Sequence, residues 1–148
     1  MHLHSFIVFL RRLLLLLVFA GITVGLVSCS ANVRTQINKT YPPLDYREEF
    51  FVLGINDSLP ASATSIGVVR VFDSGFSGDC NWDAVIQLAI QESRKAGGNA
   101  MKIIDHLPPS FFRSSCHQIM ALVLRVESKG DLALLKAQRK NPNLAPQQ

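Results

Sequence analysis

Residues 116–126, from Cys116 to Val126, constrain the fold more than any other stretch. Ile119, Ala121 and Val123 alternate there with Met120, Leu122 and Leu124, so a strand at this place is apolar on both faces. Such a strand sits in the middle of a sheet and needs a layer on each side. Residues 82–96 can supply one layer. Trp82, Val85, Ile86, Ala89, Ile90 and Ala96 fall on one stripe at helical spacing. Asn81 can cap the first turn, Asp83 complements its dipole, and Gly97-Gly98 end the helix just after Arg94 and Lys95. The other layer can come from residues 131–139, where Leu132 and Leu135 share a face; with that segment loose, the bare face would be a partner site.

Three more strands are expected, at residues 49–55, 65–72 and 100–106. In the second, Val69 and Val71 share one face while Val68, Arg70 and Phe72 share the other. The stretches 56–63, 73–79 and 107–115 hold the Gly, Ser, Asp and Pro of loops. The expected fold is α+β in two layers: a four-stranded, mainly antiparallel sheet with one helix packed on one face, in the order β-β-α-β-β. Residues 1–28 read as a leader, 29–46 as a tether, 47–126 as the domain, and 127–148 as a tail with a short helix and then disorder.

The leader has a clear physical form. Arg11 and Arg12 precede a charge-free run over residues 13–27, which Gly21, Thr23 and Gly25 weaken. The run falls short of the roughly 20 apolar residues of a spanning helix and suits the core of a signal peptide. It closes on Leu26-Val27-Ser28-Cys29, which resembles the lipobox of bacterial lipoproteins. The resemblance implies cleavage before Cys29 and acylation of Cys29, which then anchors the chain in a membrane of the cell envelope. Ser30, directly after the cysteine, implies the outer membrane. Each buried methylene of an acyl chain contributes about 0.8 kcal/mol, so several chains give stable anchoring. The polar segment that follows, with Tyr41-Pro42-Pro43, cannot continue a helix or a central strand and reads as a linker.

An exported chain meets an oxidising compartment, where a pair of cysteines beyond Cys29 reads as a disulfide between Cys80 and Cys116. A redox-active pair would need the close Cys-X-X-Cys spacing, which is absent.

Composition and motifs exclude several functions. Two of the 15 basic residues are Arg11 and Arg12, and the remaining 13 face 11 acidic residues, a balance of about +2. These charges are scattered, without the clustered basic face of a nucleic-acid binder, so no nucleic acid is expected. No Gly-X-Ser-X-Gly elbow, His-Glu-X-X-His helix or close carboxylate pair occurs. Gly97-Gly98-Asn99 follows a helix, whereas a phosphate loop precedes one. The expectation is therefore no catalytic residue, no metal and no cofactor. His106 and His117 lack paired zinc-ligand spacing, yet they carry the alternative function, a small-ligand or metal-binding envelope module. Phe111-Phe112-Arg113 is the candidate partner contact, because aromatics and Arg are enriched at interaction hot spots.

Taken together, Cys80, the helix, Ala96-Gly97-Gly98-Asn99-Ala100, Cys116 and the apolar last strand resemble the Rcs-type stress-sensor lipoprotein domain and its relatives. The resemblance implies a small cysteine-stapled domain. The functional expectation is a non-enzymatic, lipid-anchored protein that binds another envelope protein, for interaction or sensing.

Overall fold

The computed structural model describes residues 11–12, 31–73, 80–111 and 114–140. Residues 1–10 and 13–30, which include Cys29, residues 74–79 and 112–113, and residues 141–148 lie outside the described residues. Strands β1 (Asn32–Ile37), β2 (Phe51–Leu53), β3 (Ala63–Phe72), β4 (Ala100–Leu107) and β5 (Gln118–Val126) form one sheet in the order β1-β3-β5-β4-β2. Helix α1 (Trp82–Lys95) joins β3 to β4, and α2 (Lys129–Lys140) follows β5. Every pairing is antiparallel except that of β2 with β4.

The α+β class agrees with the sequence, and the details correct it. The sheet has five strands rather than four, it is mixed, and two helices accompany it. The extra strand, β1, lies inside the segment expected to be a tether. Its pattern is weak because it is an edge strand: only Val33 and Ile37 pack against the core, and Arg34, Thr35 and Gln36 stay exposed. An edge strand has one neighbour to pair with and tolerates polar side chains. Nor is Tyr41-Pro42-Pro43-Leu44 a linker. The Tyr41 and Leu44 amides donate to the carbonyls of Ala96 and Arg94, at 3.2 and 2.9 Å, and so satisfy the end of α1.

β5 is the middle strand, apolar on both faces as the sequence requires. Ile119, Ala121 and Val123 pack with Val69 and Val71 of β3 under Val85, Ala89 and Ala96 of α1. On the opposite face Leu124 and Val126 pack with Phe51, Leu53 and Leu135, and Leu132 joins them. Helix α2 thus covers that face near the end of β5, as expected of the tail. It is held there by Asp131, whose carboxylate accepts from the Ser62 amide and hydroxyl at 2.9 and 2.6 Å.

The turn from α1 into β4 explains the Ala-Gly-Gly-Asn-Ala run. Gly97 has φ +82°, and its amide donates to the Arg94 carbonyl. A Cβ there would lie 2.5 Å from the Tyr41 Cβ, so both conformation and space call for glycine. Gly98 lies so close to β5 that a Cβ would meet Val123 Cγ1 at 2.7 Å. Asn99 is buried and pairs with the backbone of Val126. At the other end of the helix Asn81 accepts from the Ala84 amide at 2.9 Å, the expected N-cap. Among the described residues no helix is long and apolar enough to cross a membrane.

Candidate functional site

Two neighbouring features hold chemistry that packing alone does not explain, one on each face of the sheet. A β-bulge in β4 places one residue of each. Ile103 pairs with Ala121, and Asp105 pairs with Met120, so Ile104 is an extra residue in the ladder. Directly opposed residues share a face. The inserted residue therefore sends Asp105 to the open face with Met120, and sends His106 to the helix face with Ile119.

The open face begins where α2 stops covering the sheet. Arg34 of β1 stands directly across from Arg70 of β3, and Arg70 is in turn directly across from Met120 of β5. Two adjoining hollows of about 310 and 530 Å³ share Arg34, Arg70 and Met120. The first also takes in Phe72, Asp105 and Leu107. Like charges placed directly opposite each other disfavour the sheet by roughly 0.2–1 kcal/mol. Neither arginine makes an ion pair among the described residues, and the Asp105 carboxylate lines the first hollow with both. Arg34 instead lies 5.1 Å from the centre of the Phe72 ring.

On the helix face, His106 meets His117 and Trp82. His106 Nε2 and His117 Nδ1 are 2.9 Å apart. The ring planes differ by 11° and their centroids are 5.2 Å apart. Rings so oriented, with nitrogens this close, lie end to end in a common plane rather than face to face. Trp82 stands edge-on to both, with centroids at 4.7 Å from His106 and 5.6 Å from His117. Burial, with the nearby His117 as the second cause, holds the His106 imidazole below its ordinary pKa, against a smaller opposing effect of Asp105.

Cys80 and Cys116 form the expected disulfide, with Cα atoms 5.0 Å apart. The bond fixes the start of α1 to the entry of β5, and the His117 amide donates to the Cys80 carbonyl at 3.1 Å. It thereby sets His117 against His106 and places Trp82, two residues after Cys80, beside both.

Of the other residues singled out in the sequence, Phe111 is 97% exposed at the tip of its loop, while Cys29, Phe112 and Arg113 lie outside the described residues. Among the described residues no group of three or more His, Cys, Asp or Glu is arranged to hold a metal ion. Sequence reasoning missed Arg34, which sits in a strand without an apolar stripe. Trp82, on the apolar stripe of the helix, packs against the core as that stripe implies and also touches His106, a contact no spacing in the sequence announces. No family model matches the chain, and no match was found among curated proteins or solved structures.

Proposed function

We propose that this is a non-enzymatic, lipid-anchored envelope protein whose domain binds an acidic segment of another envelope protein across the open face of its sheet. The opposition of Arg34 and Arg70 carries the reading. Two arginines directly opposed on neighbouring strands, neither in an ion pair among the described residues, suit carboxylates, which they can engage in paired, charge-assisted hydrogen bonds. Met120 between the strands and Phe72 beside Arg34 supply an apolar floor for the partner's side chains. The lipobox-like Leu26-Val27-Ser28-Cys29 supports the anchor, with Ser30 favouring the outer membrane. From Cys29 to the start of β1 the chain is only three residues long, a reach of at most about 11 Å. Acylation at Cys29 would therefore hold this face close to the bilayer.

A photoreactive residue at Val68, which lines the second hollow, tests the partner in intact envelopes. The crosslinked segment of the partner should be acidic, and the crosslink should vanish in Arg70→Glu. A neutral or basic segment, or a crosslink that survives Arg70→Glu, would overturn the reading. The intact mass of the purified protein tests the anchor. It should show a chain beginning at Cys29 with added acyl groups, and Cys29→Ser should abolish both changes.

A further inference from the structure

The geometry points to a second site on the opposite face: His106 and His117 bind one divalent transition-metal ion of the zinc, nickel or copper class between Nε2 of His106 and Nδ1 of His117. The rings lie in one plane with these two nitrogens aimed at each other 2.9 Å apart. A metal with bonds of about 2.0–2.1 Å to each nitrogen and a tetrahedral angle holds them about 3.3 Å apart. Because the two nitrogens face each other head-on, each ring must also turn by about 35° to bring its lone pair onto the ion, together with an opening of a few tenths of an ångström. Imidazole nitrogens suit this class of ion and discriminate against magnesium and calcium, which take oxygen ligands.

The proton balance is simple. In the empty neutral pair one proton lies between the two nitrogens and a second sits on an outer nitrogen. When the metal enters, the shared proton moves to the other outer nitrogen, so His106 carries its proton on Nδ1 and His117 on Nε2. No net proton need be released while both rings are neutral. Burial and the nearby His117 lower the basicity of His106 and favour its neutral form. Two protein ligands leave the remaining positions of the metal to water or to a donor from a partner.

The surroundings hold the ligands in place. His106 is on β4, aimed by the bulge, and His117 is tied to Cys80 through its amide and through the neighbouring disulfide. Trp82, the only tryptophan in the chain, stands within 6 Å of both rings, centre to centre. Its emission therefore reports the site directly.

The test uses the full, untagged chain in detergent and follows Trp82 emission during titration with copper(II) chloride, then with nickel and zinc chloride. Quenching by copper should saturate near one ion per chain. Calcium and magnesium chloride should leave the emission unchanged. His106→Gln and His117→Gln should each weaken copper binding by about a hundredfold or more, since loss of even an outer-shell partner costs about 10–100-fold. In the Cys29→Ser chain, which keeps residues 1–28, His2→Ala/His4→Ala removes the other two histidines and should bind as its own parent does. Equilibrium dialysis gives the stoichiometry without relying on fluorescence, and the near-ultraviolet circular dichroism of each variant checks that it folds. Quenching that never saturates, binding that survives both glutamine variants, or binding lost with His2 and His4 would overturn the proposal.

Discussion

The side chain of Asn99 completes the sheet where the backbone cannot: its amide donates to the Val126 carbonyl and its carbonyl accepts from the Val126 amide, both at 2.8 Å. The main chain of Asn99 meanwhile donates to Leu124 and accepts from Phe51, at 3.1 Å in each case. One residue thus links β2, β5 and the end of α1. Asn99→Ala leaves a buried donor and a buried acceptor of Val126 without partners, at about 1–3 kcal/mol each. The expected loss is about 2–6 kcal/mol in the free energy of urea unfolding, with an unchanged slope.

Gly97 and Gly130 should respond to alanine in opposite directions. At Gly97 the positive φ and the Tyr41 contact both resist a side chain, and Gly97→Ala should cost at least about 1–2 kcal/mol. At Gly130, in the first turn of α2, the nearest atom to an added Cβ is the Ser128 hydroxyl at 3.5 Å. Gly130→Ala should be neutral or add up to about 1 kcal/mol through helix propensity. Thermal unfolding of the two variants side by side reads the difference.

The disulfide closes a loop of sequence separation 36. In the chain-entropy picture its loss costs about 3–4 kcal/mol. Cys80→Ala/Cys116→Ala should lower the unfolding midpoint accordingly, and dithiothreitol should bring the parent protein close to the same value. The same variant should weaken copper binding, because His117 loses the bond that sets its position.

Acid should destabilise the fold in two steps. His106 has a folded pKa below its unfolded value near 6.5. Its contribution is fully present above that value and is lost as the pH falls through the folded pKa, because the unfolded chain then binds the proton more readily. Asp131 is held below its ordinary value of 3.8 by its hydrogen bonds to Ser62. Its contribution is present above that value and disappears at lower pH, as the carboxyl protonates. Urea midpoints measured from pH 8 down to pH 3 should fall first below about 6.5. In His106→Gln that first fall should be shallower, with the second unchanged.

Stability and binding should pull against each other on the open face. Arg70→Glu turns the opposition with Arg34 into an attractive pair, and the sheet should gain about 0.2–1 kcal/mol. The same change should abolish the crosslink to the acidic partner. A midpoint that rises while partner capture disappears is the combined signature.

Much of the architecture was legible because it rests on periodicity. The two apolar faces of residues 119–124, the stripe from Trp82 to Ala96 and the glycines after it all report packing against a neighbour, and the structure places them accordingly. Strand β1 was not legible. With only Val33 and Ile37 touching the core, its signal resembles that of any polar linker, and its partner β3 is about 30 residues away. The sites were harder to see for the same reason. Arg34 meets Arg70 only because β1 joins the sheet, and His106 meets His117 only because a bulge turns it toward the helix. Neither contact leaves a spacing in the chain. The disulfide was legible because a chain read as exported is expected to pair its two remaining cysteines, whatever their distance in sequence.

The strand order has a consequence for how the molecule is born. Strands β1 and β3 lie on one flank of β5 and strands β4 and β2 on the other, so the last strand made is the keystone between them. Until it arrives the first half of the chain has no seam to close. A polypeptide built this way must stay pliant through synthesis, and it acquires its shape only once β5 has been made.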